Sequence, residues 1–154
     1  MIKIMFVCYG NICRSPMAEF IMKDYVEKRD KAEFFLIKSS ATSSEELGNG
    51  VHRGTRRVLD RMGISYSGKV ATKLRAEDYE NYDYFIGMDE NNRSAMRRIL
   101  NGDKQNKVSL LMDYTDSPRD VADPYWTGDF EATETDVKRG IEAFYEYLIK
   151  TKKI

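Results

Sequence analysis

MFVCYGNICRSPMAEF, residues 5–20, decides how the rest of the chain is read. Before it and into it runs IKIMFV, residues 2–7. That run is apolar except for Lys3, as in a strand buried on both faces. Ser15 and Pro16 then mark a helix start, since proline is tolerated in the first turn. Met17, Phe20, Ile21 and Tyr25 follow at helical spacing. A strand, a short loop with Gly10, and a helix are therefore packed into some twenty residues. Successive backbone N–H groups in such a loop, backed by a helix N-terminus, form a nest for an oxyanion.

Outward from this stretch the pattern alternates. FFLIK, residues 34–38, reads as a second strand, and Ser39 to Gly50 as a polar loop. Val51 to Met62 carries Val51, Val58, Leu59 and Met62, an amphipathic helix stopped by Gly63. Ile64 to Tyr66 reads as a short extended piece, and Leu74 to Tyr79 as a turn or short helix. The third strand is YDYFIGM, residues 82–88, followed by a helix from Asp89 to Leu100 that Asn101-Gly102 closes. Lys107 to Met112 supplies the fourth strand. Residues 113–130 hold two Pro, one Gly and five Asp, which reads as loop. Thr133 to Lys150 is the closing helix, with Val137, Ile141, Phe144, Tyr145 and Leu148 on one face.

Alternating strands and helices predict an α/β fold: a single domain over 1–154, three layers, with a four-stranded parallel sheet between helices, Rossmann-like, and the phosphate-binding loop after strand 1. Ligands of such sheets sit beyond the carboxyl ends of the strands, which is where residues 8–15 fall.

Composition narrows the function classes. The 154 residues are 42% hydrophobic and 32% charged, enough for one sizeable core. Lys+Arg and Asp+Glu are both 25, which argues against a strongly basic nucleic-acid binder. No apolar run approaches the ~20 residues of a membrane helix, and the start does not resemble a signal peptide. The expectations are a cytoplasmic protein, no membrane and no nucleic-acid partner. His52 is the only histidine, so a zinc cluster is not expected; near a helix start it reads as a half-exposed polar residue.

Chemistry concentrates in CYGNICRS. A nucleotide-binding loop would end in Gly-Lys followed by Ser or Thr; here a cysteine stands first. Gly10 frees the loop backbone. Asn11 tolerates left-handed geometry and can hold the loop with its side chain. Arg14 offers a planar fork of donors that suits phosphate oxygens. Cys8, at the strand end, lies on the floor of the nest, where N–H groups, a helix terminus and Arg14 favour a thiolate. Ser15 is placed to donate a hydrogen bond to the sulfur, and Cys13 to trap an oxidised Cys8 as a disulfide. A thiolate that attacks phosphorus needs an acid to protonate the leaving oxygen. Asp123 is the best candidate, stiffened by Pro124 and followed by Tyr125 and Trp126, whose rings can wall a slot for an aromatic substrate. Asp116, Asp120 and Asp129 are rivals that spacing alone does not exclude.

Taken together, VCYGNICRSPMAE (7–19) resembles the signature of the low molecular weight protein tyrosine phosphatases. ADPYW (122–126) resembles their acid loop. SSATS (39–43), HRGTRRVLDRMGI (52–64) and DYFIGMDENN (83–92) extend the likeness over nearly the whole chain. The resemblance implies hydrolysis of phosphotyrosine in proteins, with inorganic phosphate as product and no metal or other cofactor. It implies that Cys8 becomes a phosphocysteine and that Arg14 and the backbone of Tyr9, Gly10, Asn11, Ile12, Cys13 and Arg14 bind the phosphoryl oxygens. Asn11 then keeps the loop in shape, Ser15 stabilises the thiolate, and Asp123 acts as acid and then base. Cys13 guards Cys8 from over-oxidation, and Asp89 supports the site. Ile12, Leu47, Tyr125 and Trp126 would form the substrate wall. Relatives that dephosphorylate arginine carry Thr at the place of Ile12, so Ile12 favours tyrosine. EELGN (45–49) departs from the mammalian form, which has a Trp in this wall. Family members form monomers or weak homodimers. The alternatives are a phosphoarginine phosphatase or arsenate reductase of the same fold, a phosphate-binding module without turnover, and a Cys8–Cys13 redox sensor.

Overall fold

The computed structural model describes residues 1–154, and its order of elements follows the alternation of the sequence. Strands β1 (Ile2–Cys8), β2 (Phe35–Ala41), β3 (Tyr84–Gly87) and β4 (Val108–Leu110) form one sheet in the order β2-β1-β3-β4. Every pairing is parallel. The helices are α1 (Arg14–Glu27), α2 (Arg53–Arg61), α3 (Glu90–Ile99), the single turn α4 (Pro124–Thr127) and α5 (Phe130–Lys150).

Burial on both faces explains the apolar run of β1. Ile4, Phe6 and Cys8 join the larger core, built with Met17, Ile21 and Met22 of α1 and Val137, Ile141, Phe144 and Leu148 of α5. Met5 and Val7 point the other way, into a smaller core with Phe85, Leu74, Met96 and Leu110. Alternate residues thus serve opposite layers. The phenyl rings of Phe6 and Phe144 are wholly buried, and each such side chain contributes about 1.5–3 kcal/mol.

The topology also locates the site. From β1 the chain crosses through α1 to β2 on one side, while β3 pairs with the other side of β1. The chain ends of β1 and β3 therefore part at a crevice, the place where open α/β sheets hold ligands. Cys8 ends β1, and Met88-Asp89 follows β3. Val121 is tied across this gap, its N–H donating to the Met88 carbonyl at 2.8 Å.

Several boundaries differ from the sequence reading. Ser39 to Ala41 belong to β2, not to the loop, because each pairs with β1 up to Cys8↔Ala41. The extended piece at 64–66 forms no strand; Ile64 and Tyr66 pack on the main core instead. After Leu110 the fourth strand gives way to a 3-10 turn, Leu111–Tyr114, whose Asp113 accepts the Leu110 N–H at 2.9 Å. The stretch read as loop contains α4, and α5 begins three residues earlier than expected. Two aspartates explain this: Asp123 caps α4 by accepting from Tyr125 N, and Asp129 caps α5 by accepting from Ala132 N. No helix is long and apolar enough to cross a membrane.

Candidate active site

The loop from Cys8 to Arg14 is buried and held from behind. Asn11 has φ 60°, the left-handed region that few residues adopt. Its side chain offsets that strain. Oδ1 accepts from Thr72 N at 3.1 Å, while Nδ2 donates to Ser15 Oγ at 2.7 Å and Ser39 Oγ at 3.0 Å. Gly10 serves differently from the expectation. Its φ is not left-handed; what it offers is room, since a Cβ there would lie 3.3 Å from Cγ of Glu46.

The Cys8 sulfur lies within the loop, 3% exposed as a residue. Asn11 N and Ser15 N donate to it at 3.3 and 3.4 Å, and Ser15 Oγ lies at 3.0 Å. The N–H groups of Gly10, Ile12 and Cys13 donate to nothing within the chain. An oxyanion above the sulfur would complete them. Cys13, the N-cap of α1, is also buried. Burial pushes its thiol strongly up, with the Cys8 and Asp123 charges adding to the effect. The two cysteines are thus inequivalent: Cys13 is kept protonated, whereas two N–H donors and the Ser15 hydroxyl surround the Cys8 sulfur.

Arg14 is 2% exposed and clamped at one edge. Nη1 donates to Asp89 Oδ2 at 2.7 Å and to the Val121 carbonyl at 2.9 Å; Nη2 reaches Asp123 Oδ2 at 3.4 Å. Burial opposes its charge, but Cys8, Asp89 and Asp123 outweigh it, and the guanidinium holds its proton more firmly than usual. Its Nε is buried without a partner. Asp89 also caps α3 through Oδ1, accepting Asn92 N at 2.8 Å, so one carboxylate fixes both the helix and the arginine.

A cleft of about 300 Å³ opens over Cys8, Ile12, Cys13 and Arg14, with Asp123, Tyr125 and Trp126 on one wall. Asp123 is the aspartate the fold brings here. Asp120 instead accepts Glu90 N, Asp129 caps α5, and Asp116 lies in a separate groove beside α5. Tyr9, Gly10, Glu45 and Glu46 complete the lining of the cleft. Leu47, expected there, lines the adjoining groove along β2 with Phe20 and Val70; the turn after Glu46 carries it past the cleft. Neither Glu45 nor Glu46 forms an ion pair. His52 caps α2, its Nδ1 accepting Gly54 N at 3.0 Å. Its ring stacks on Phe130 at 5.1 Å and meets the edge of Tyr125 at 6.0 Å. A Cβ on Gly54 would collide with Phe130.

Sequence reading missed Ser39, Thr72, Glu19 and Lys69, all behind the loop. Glu19 stands four residues before Lys23, which looks like an ordinary surface pair. Its one distinguishing sign is its place inside a stretch, Arg14 to Met22, that is buried throughout.

The model of the "Low molecular weight phosphotyrosine protein phosphatase" family matches residues 3–154. The low molecular weight protein-tyrosine-phosphatase YfkJ of Bacillus subtilis (strain 168) is 36% identical over 156 residues, covering all of both chains. The crystal structure of YfkJ superposes with a TM-score of 0.95 over 99% of this chain and 97% of that one. The drosophila arginine phosphatase DARP, 27% identical, superposes with a TM-score of 0.86 over 95% of this chain and 97% of its own. By sequence and by fold, this chain belongs to the low molecular weight phosphotyrosine protein phosphatase family.

Proposed function

We propose that the protein hydrolyses phosphotyrosine in proteins, and other aryl phosphates, through a phosphocysteine on Cys8. The observation that carries this reading is the sulfur of Cys8 within hydrogen-bond reach of two N–H donors and the Ser15 hydroxyl, in a cleft lined by Asp123 and two aromatic rings. A phosphoryl group seated there would meet the free N–H groups of Gly10, Ile12 and Cys13 and the unpartnered Nε of Arg14. These donors are fixed before reaction, so charge on the transferring oxygens is stabilised without reorganisation.

In the first step the sulfur lone pair forms the S–P bond as the P–O bond to the phenol breaks. Asp123, as the acid, delivers its proton to that oxygen. In the second, water forms a new P–O bond while Asp123 takes the water proton. The S–P bond breaks and returns its pair to sulfur, which the Ser15 hydroxyl and two N–H groups receive. Inorganic phosphate leaves. Arg14 binds the equatorial oxygens throughout, and Asp89 orients it. Cys13 stays a thiol in this cycle and, on this reading, caps Cys8 after oxidation. The partner is a phosphotyrosine protein, and the chemistry calls for no metal or cofactor.

Ile12 supports tyrosine over arginine, because an apolar β-branched side chain at the cleft floor packs beside a ring and offers no hydroxyl to water. The test is hydrolysis of p-nitrophenyl phosphate, phosphotyrosine, phosphoserine and phosphoarginine, in EDTA, by wild type and Cys8→Ser. Aryl turnover that vanishes in the variant is expected. Preference for phosphoarginine would reassign the substrate, and no turnover of any substrate would leave a phosphate-binding or redox protein.

A further inference from the structure

We propose that Glu45 and Glu46 set the substrate class of this cleft: a phosphotyrosine with a Lys or Arg within two residues of it along the chain. The proposal deepens the phosphatase reading and rests on it.

The cleft is suited to an anion. Arg14, which lines it, has its Nε buried without a partner, and the N–H groups of Gly10, Ile12 and Cys13 are free. A phosphoryl group brings nearly two negative charges to those donors. Yet the lining holds one side-chain cation, Arg14, against three carboxylates, Glu45, Glu46 and Asp123. Arg14 is moreover already shared, between Asp89 at 2.7 Å and Asp123 at 3.4 Å. The mechanism gives Asp123 a proton when the ester arrives. It gives Glu45 and Glu46 no part.

Both lie close to the loop. The Glu46 stem packs on Gly10, where a Cβ would be 3.3 Å from its Cγ. The carboxylate carbon is one bond further, so it sits no more than about 5 Å from that point. Its side chain accepts one hydrogen bond, from the neutral Asn49 Nδ2 at 3.3 Å. After burial and the nearer charges, the Glu46 charge adds to what keeps Cys13 protonated. Glu45 stands beside Tyr9: as a hydrogen-bond acceptor it raises the proton affinity of the Tyr9 hydroxyl. No Lys or Arg of the chain pairs with either carboxylate.

Two unpaired carboxylates beside an anion site repel the ligand they surround, so a bare phosphate ester binds less well than the donors allow. A ligand that carries its own cation turns both repulsions into attractions. In a phosphotyrosine protein that cation is a Lys or Arg near the tyrosine in sequence. One residue of extended chain spans about 3.3 Å, so a long basic side chain within two residues stays at the mouth of so small a cleft. Glu45 is exposed and Glu46 half-buried, and both are open to residues that flank the ring. An Asp or Glu in the same place would add a like charge, so the same pair rejects acidic neighbours.

The test uses peptides with one phosphotyrosine in an Ala-Gly frame and Lys, Ala or Glu on both sides of it. kcat/KM is measured for wild type and Glu45→Gln/Glu46→Gln, and Kd for the same two proteins carrying Cys8→Ser. Wild type should favour the Lys peptide over the Glu peptide about tenfold at low salt, the sum of several exposed charge pairs. Raising ionic strength from about 0.02 M to about 0.5 M should bring that ratio below about twofold. The double variant should show the low ratio at low salt as well. It should also take the bare dianion better, with KM for p-nitrophenyl phosphate falling about two- to threefold; a structural role alone would raise that KM. A Lys/Glu ratio near one in wild type, or an undiminished ratio in the double variant, would overturn the proposal. Turnover of p-nitrophenyl phosphate would then leave the phosphatase reading standing. If wild type hydrolyses nothing, the phosphatase reading falls, and the Kd ratio still decides whether the cleft selects a cation beside the phosphate. Gln keeps the acceptor for Asn49; should the double variant fail to fold, Glu45→Gln alone, at an exposed position, carries the test with a smaller loss of the ratio.

Discussion

The loop of residues 8–15 and the segment of residues 121–126 contribute to one cleft and are held by opposite means. Asn11, Arg14 and Ser15 are at most 2% exposed; Asn11 and Arg14 make hydrogen bonds to residues distant in the chain, and Ser15 is tied to Cys8 and Asn11 within the loop. Across the cleft, Tyr125 is 53% exposed and Trp126 81%, and a single turn of helix carries them. That segment is anchored at its base, where Val121 is buried and its carbonyl accepts from Arg14. On the proposed mechanism the difference has a chemical reason. Donors that stabilise a developing oxyanion act best when fixed in advance in a dry site. An acid that gives a proton and then takes one from water must remain reachable.

Changes on the exposed side should therefore alter turnover without altering stability, and changes on the buried side should alter both. Asp123→Asn is the sharpest probe. Hydrolysis of phenyl phosphate should fall about 10²–10³-fold, and that of an ester with a very good leaving group only several-fold. Equal losses on both would remove Asp123 as the acid. Asn11→Gly keeps the left-handed backbone and deletes the side-chain bonds. Urea unfolding should show a loss of about 2–4 kcal/mol, together with reduced kcat; an unchanged midpoint would mean that the loop is not held from behind.

Trp126→Ala should leave the unfolding free energy within about 0.5 kcal/mol of wild type, while KM for phosphotyrosine peptides rises about threefold. Clear destabilisation would erase the contrast between the two sides. His52 gives the smallest effect. Burial, with Arg53 and Arg56, lowers its proton affinity in the folded state. The unfolded chain thus binds the proton first, so the stability that His52 contributes is complete above about pH 6.5 and is lost as pH falls through its lower folded value. His52→Asn keeps a capping acceptor without titrating. Its melting temperature should vary less than that of wild type between pH 7.5 and 5; parallel curves would exclude His52 as the source.

The legible parts were those with a local cause. β1 was readable because residues buried on both faces are apolar in succession, and α1 because proline in its first turn and the spacing of Met17, Phe20 and Ile21 mark a helix. The short turn α4 was not readable: Asp123-Pro124 signals a loop and a helix start equally, and the capping bond to Tyr125 N decides between them. Spacing does not place Leu47, because the loop after β2 has no period to count from. Ser39 looked like loop because its partner, Phe6, lies on another strand.

From sequence alone came the order of elements, the parallel sheet, and the pairing of Cys8 with Arg14 around a phosphate-sized loop. Spacing within one continuous segment determines these. Only the tertiary structure decided which aspartate shares the cleft with the sulfur, that Asp89 clamps Arg14, that Glu45 and Glu46 line the cleft, and that Glu19 and Lys69 stand behind the loop. The bonds concerned join residues far apart in the chain, 75 positions for Arg14–Asp89 and 109 for Arg14–Asp123. No local pattern encodes such contacts; they arise where the ends of β1 and β3 part and the chain returns to fill the gap.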